Sequence, residues 1–228
     1  MSSASRPPGE PGLLLRAVLA LLLLAAAAGV ALALVAGQVA PGLSGAVAAA
    51  LPDSGASNPV TAVLLNFRGY DTLLEMAVLT AAVVGVWSLG PAPRIRETEP
   101  SPVLLGMNSV LIPLAPLICA YLLWAGSSRP GGAFQAGAVL AAAGVLFIIS
   151  GRRPAVHLPA APMSWGIVAG LGVFLAVALA VMPGGRELLE YPRGLAGALI
   201  LLVETAATVS IALILAGLFI GGRPEDEP

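Results

Sequence analysis

The sequence contains no lysine; its eleven basic residues are all arginine, set against twelve acids in 228 residues. Charged residues make up 10% of the chain, far below the roughly 25% of an ordinary soluble domain. A net charge of −1 gives no basic surface for nucleic acid and no field to draw an acidic substrate. The single cysteine, Cys119, excludes an intrachain disulfide and a cysteine-based metal site. The single histidine, His157, stands in a short polar loop and reads as a solvated residue. One histidine makes neither a zinc cluster nor a haem ligand pair, and no Ser/His pair or paired-aspartate motif is present. A resident metal, a cofactor and a catalytic centre are therefore not expected.

What fills the space is apolar: 58% of the residues are hydrophobic, mostly Leu, Ala and Val in long blocks. A spanning helix takes about 20 such residues. Six windows qualify, near 13–36, 72–90, 103–125, 133–151, 163–182 and 195–220. The fold class expected is an all-α integral membrane protein of about six spans. The Pro/Gly/Ser-rich head, residues 1–12, reads as disordered. The apolar stretch after it, Ala17 to Ala36, is longer than a signal-peptide core of about 7–15 residues and reads as a retained helix. Six spans put both termini on one side. That side holds Arg6, Arg16, Arg94, Arg96, Arg152, Arg153 and Arg223, against Arg68, Arg129, Arg186 and Arg193 on the other. The excess places both termini in the cytoplasm.

The longest loop, about 37–71, ends in "NPVTAVLLNFRG". Asn58 is a helix cap, Pro59 a first helical residue and Gly69 a residue just past a helix end. This short helix, near 58–68, cannot span and would lie at the interface or dip in and return. "RETEPSP", 96–102, is the clearest break in the chain. Pro113 and Pro116 predict a kink in the third span. "GIVAG", 166–170, has the spacing of a small-residue helix contact.

Ionisable residues within apolar helices are the functional candidates. Arg68, Asp71 and Glu75 crowd the start of the second span. Thr72 to Glu75 fits a capping box, with Thr72 as cap, Glu75 reaching back to its amide and Arg68 pairing with Asp71. Ion handling by Glu75 is the competing reading. Glu204 lies about ten residues into the sixth span, near the midplane, with Thr208 one turn on. It suits a proton relay or a site shared by a proton and Na+, or equally a neutral side chain hydrogen-bonded to a neighbouring helix. "SSRPGGAFQAG", 127–137, reads as a hairpin turn and lacks the lysine of a phosphate loop.

Two stretches carry a resemblance. "NPVTAVLLNFRGYDTLLEMAVL" resembles the "VTA-LL-FRG-DTLGE" segment of the energy-converting hydrogenase E-type domain, which also closes the large subunit of Mrp-type multisubunit Na+/H+ antiporters. "YLLWAGSSRPGGAFQAGAVLAAAGVL" resembles the "YL---GH--PGGGF-AG" signature of the B-type subunit of these antiporters, and "ETAATVSIALILAGLFI" its last helix. The chain thus looks like a fusion: a two-helix E-like module over 13–98, a four-helix B-like module over 99–221 and an acidic tail at 222–228.

The resemblance implies a membrane subunit of a monovalent cation/proton antiporter-like complex in a prokaryotic cell membrane. Its partners would be other membrane subunits, Na+ and H+. It implies no cofactor and no catalytic centre of the subunit's own. The competing implication is a scaffold subunit, moving no ion, of a related membrane-bound hydrogenase or respiratory complex. Arg68, Gly69, Asp71, Thr72 and Glu75 match the first motif, and the ion path implied is Arg68, Asp71 and Glu75 with Glu204 and Thr208; Pro130, Gly131, Gly132, Phe134 and Gly137 match the second as a structural motif, with Gly69 and Thr72. Four positions depart from the pattern. Leu74 and Ala133 stand where glycine is usual, Ser127 where His is usual, and Ser210 where the last helix often has an acid. Either Glu204 takes over that acid's role or the second module is mainly scaffold.

Overall fold

Away from water a helix satisfies its backbone N–H and C=O groups within its own segment, so apolar runs of this length become helices. The computed structural model describes residues 12–36, 42–91, 101–150, 160–183 and 185–223. The expectations for the N-terminal head, most of the 96–102 break, His157 and most of the acidic tail fall outside them. Helix α1, Leu13–Ala36, lies in one compact unit; Gly45 onward forms a second.

Helix α2 (Ser44–Ala50), all but its first residue in the second unit, runs into a tight 3-10 turn at Leu51–Asp53. Then come α3 (Pro59–Ala62), α4 (Gly69–Ser88), α5 (Pro102–Ala125), α6 (Ala133–Ile149), α7 (Ala160–Ala180) and α8 (Ala196–Ile220). Helices α1, α4, α5, α7 and α8 are long and apolar enough to cross a membrane. The remaining expected span, α6, is apolar but has only 17 residues. Among the described residues there is no strand, only one isolated bridge between Pro91 and Arg223. Pro113 and Pro116 both sit inside an unbroken α5, whose start is capped by Ser101 accepting from the Leu104 N–H at 3.2 Å.

Helix α8 is the hub. Half of its most apolar stretch is buried, against 17–33% for α4, α5 and α7. It contributes to every core cluster: Ile200 and Val203 with Phe174 and Leu189, Ala207 and Ile211 with Met76, and Ile214 with Val83 and Ile167. Small residues let the neighbours close in. A Cβ on Gly137 of α6 would stand 2.8 Å from Ile211 Cγ2 and 3.0 Å from the Thr208 carbonyl oxygen. The expected Gly166–Gly170 contact is with α8, Gly166 lying against Leu213 and Gly170 against Ser210.

The helix starts at 58 and 69 carry one confirmation and two corrections. Asn58 Oδ1 caps α3 as expected, accepting from the Val60 N–H at 2.8 Å and the Thr61 N–H at 3.4 Å, with Pro59 at the first position. The segment then widens into a π turn, Val63–Phe67, closed by the Arg68 N–H donating to the Val63 carbonyl at 2.7 Å. Gly69 is not a residue past a helix end: it is the first residue of α4. Its close neighbour there is Leu189, whose Cδ1 would be 3.0 Å from a Cβ. Nor do Thr72 and Glu75 form a capping box. Arg68 holds the cap position without a side-chain cap bond, and Thr72 Oγ1 donates to the Leu64 carbonyl at 2.6 Å. The hydroxyl finds a better-placed acceptor in the carbonyls that the π turn and the break leave without helical partners.

Candidate functional site at the start of helix α6

A helix start leaves backbone N–H groups without partners, and inside a membrane no water supplies them. Helix α6 has Gly132 at its cap position, a residue with no side chain to offer. The missing acceptor comes from another helix: the Glu204 carboxylate of α8 accepts from the Ala133 N–H. Glu204 is 3% exposed, and among the described residues it has no ion-pair partner. The positive end of the α6 dipole faces its carboxylate.

Gly132 makes this approach possible twice over. Its φ of 106° and ψ of −169° lie in a region that only glycine occupies readily. A Cβ there would be 2.7 Å from Glu204 Oε1. The turn before it closes through the Gly132 N–H donating to the Leu122 carbonyl at 3.1 Å. Gly131 lies against that same carbonyl, and Phe134 packs beside the cluster of Met76, Ala133, Ala207 and Ile211.

Glu204 comes eight residues after Ala196, about 12 Å along α8. It lies nearer one end of the helix than the midplane expected from sequence. Helix α6 is about 25 Å long against about 37 Å for α8, and its start coincides with Glu204. The short helix therefore begins below the N-terminal end of α8, and the 57–61 stretch lies against the turn that precedes it. The Ser57 and Asn58 N–H groups donate to the Ser127 carbonyl at 2.9 and 3.0 Å, and Thr61 Oγ1 donates to the Gly126 carbonyl at 2.5 Å. The two sequence signatures thus meet in space, and Thr61, buried in that contact, is the residue that sequence reasoning left out. Thr61→Val is expected to cost about 1 kcal/mol and to speed amide exchange at 126–133; unchanged exchange there would count against the staple.

The other candidates are arranged differently. Thr208 is buried, but its hydroxyl donates to the Glu204 backbone carbonyl at 2.7 Å and not to the carboxylate. Ser210 is fully buried and donates to the Ile167 carbonyl, so it ties α8 to α7. Ser127 is exposed and takes part in the staple through its backbone. Arg68 Nη2 and Asp71 Oδ2 are paired at 2.5 Å, both well exposed. Water screens such a pair, so Asp71→Asn is expected to shift thermal stability by less than about 1 kcal/mol. Glu75 is exposed beside Leu74 and Val78 and has no partner among the described residues. No hydrogen bond or ion pair among the described residues joins this exposed trio to Glu204. Among the described residues no group of three or more His, Cys, Asp or Glu is placed to hold a metal ion.

Residues 103–222 match the family model of a domain related to the MnhB subunit of Na+/H+ antiporter, and residues 15–102 match that of MbhE, the E subunit of MBH. Among solved structures, a chain of the membrane-bound sulfane sulfur reductase, an archaeal respiratory membrane complex, superposes with a TM-score of 0.68 at 23% identity. The match covers 90% of this chain and 98% of that one. A chain of the Mrp complex from Dietzia sp. DQ12-45-1b superposes with a TM-score of 0.62 at 21% identity, over 99% of this chain and 28% of that one. No match is found among curated protein sequences.

Proposed function

Because the chain belongs to the family of domains related to the MnhB subunit of Na+/H+ antiporter, whose model covers more than half of it, we propose that it is a membrane subunit of a multisubunit Mrp-like complex that helps form a monovalent cation/proton path. It acts in a prokaryotic cell membrane with both termini in the cytoplasm and has no catalytic centre of its own. The observation that carries this reading is the buried Glu204 carboxylate, held at the start of α6 without a cation beside it among the described residues. A carboxylate so placed can exchange a proton for a cation while the helix end holds its position. Glu75 supplies a second point, on the subunit's outer face. A carboxylate on an apolar helix ordinarily faces protein or water, so the exposed Glu75, without a partner among the described residues, faces a neighbouring subunit or the aqueous surface.

A second reading is a scaffold subunit of a respiratory membrane complex. The hydrogen bond from Ala133 makes Glu204 a structural cap, and Ser210 does only structural work. The match over 98% of the sulfane sulfur reductase chain gives it weight. Cation/proton exchange in inverted vesicles carrying the whole complex separates the two. If Glu75→Gln and Glu204→Gln both leave the rate and the apparent Na+ affinity unchanged, the chain lies off the ion path.

A further inference from the structure

A second feature lies away from Glu204, where the chain re-enters α4 and α8. It is a polar cleft of about 610 Å³ between the 50–67 segment and the loop before α8. Asp53 and Asn66 line one side, and Arg186, Glu190, Tyr191 and Arg193 the other. Its wall is fixed. Leu189 is buried and holds φ at 65°, a conformation non-glycine residues seldom adopt, and it packs with Tyr191 into the same core cluster. Arg186 and Glu190 are therefore presented from a loop anchored on both sides of residue 190.

The charges in the cleft are only partly matched. Arg193 pairs with Asp53 at 3.2 Å, and Asn66 Nδ2 donates to the Ser54 carbonyl at 2.8 Å. Glu190 Oε2 accepts from the Glu187 N–H at 2.9 Å and keeps its other oxygen. Arg186 has no ion-pair partner among the described residues. The Tyr191 hydroxyl is sealed in the floor without a partner among the described residues; burial pushes its pKa up to about 12, so it stays neutral. What remains is one guanidinium and one carboxylate, with no net charge between them. Phe67 precedes the start of α4 by two residues, and Arg193 precedes Ala196 of α8 by three. The cleft thus sits where spanning helices begin, at the level of lipid headgroups.

We propose that this cleft binds the zwitterionic headgroup of an aminophospholipid, the phosphate against Arg186 and the amine against Glu190. A neutral but polarised site fits a neutral but polarised ligand, and an anionic headgroup would meet Glu190 unfavourably.

The test is native mass spectrometry of the intact detergent-solubilised complex with short-chain phosphatidylethanolamine or phosphatidylglycerol. Phosphatidylethanolamine is expected to bind about tenfold more tightly, and Arg186→Gln and Glu190→Gln each to weaken it about tenfold. Arg186→Lys, which keeps the charge, should retain most of the binding. Tyr191→Phe, which removes only the sealed hydroxyl, should leave binding unchanged. Soluble phosphoethanolamine competing at the lipid's own concentration would identify a free aminophosphate as the ligand; failure to compete would identify the lipid. Equal binding of the two lipids, or wild-type binding by both Arg186→Gln and Glu190→Gln, would overturn the proposal.

Discussion

Glu204→Gln is expected to leave the complex assembled and to slow cation-coupled proton movement by on the order of tenfold or more, at least about 1.4 kcal/mol of barrier. The two functions of this side chain separate on chemical grounds. Its structural task is to accept from the Ala133 N–H at the start of α6. A glutamine amide oxygen does that as well, from nearly the same position. Its transport task needs a group that gains and loses a proton, which glutamine cannot do. Glu204→Ala removes both, and the orphaned N–H, with no water to take it, costs about 1–3 kcal/mol. The expected pattern is normal subunit content with lost transport for Gln, and lower subunit content with lost transport for Ala. Normal transport in Glu204→Gln, with only Ala defective, would make Glu204 a cap and move the chain to the scaffold reading.

The sequence displays its helices because their cause is local. Long blocks of Leu, Ala and Val fix the spans to within a few residues, and Asn58-Pro59 marks the start of α3 in two letters. The candidate site was legible only in parts. Pro130-Gly131-Gly132 and Glu204 each stood out, one as a turn and one as an acid in a greasy helix. Nothing in the spacing said that they touch, because their pairing depends on how far α6 is sunk beside α8. The same reason hid Thr61, whose acceptor is 65 residues away. Gly69 and Thr72 were misread for a different cause. Local rules assumed a helix end at Gly69, whereas the chain widens into a π turn and α4 resumes at once, which gives Thr72 the Leu64 carbonyl. Gly69 lies instead against Leu189 across the fold. The Asn58 cap and the Arg68–Asp71 pair follow from neighbours in sequence, whereas the partners of Thr61, Gly69 and Glu204 are chosen by tertiary contact.

Gly132→Ala is expected to destabilise the assembled complex by on the order of 2–6 kcal/mol, from two sources that add. Holding a non-glycine residue at φ 106° and ψ −169° costs about 1–3 kcal/mol. The new methyl would also stand 2.7 Å from Glu204 Oε1, forcing the carboxylate off the Ala133 N–H at a further cost of about 1–3 kcal/mol. Gly172 is the control, being helical with nothing within 4 Å of a Cβ. Gly172→Ala should be neutral or stabilising by up to about 1 kcal/mol. Thermal unfolding of the purified complex, with its subunit content, reads both. A double-mutant cycle then divides the loss. With Glu204→Ala already in place the methyl no longer meets a carboxylate and the cap bond is already gone, so Gly132→Ala should cost only its backbone strain. A fully additive cycle would show that Gly132 answers to its backbone conformation alone and that its closeness to Glu204 carries no energy.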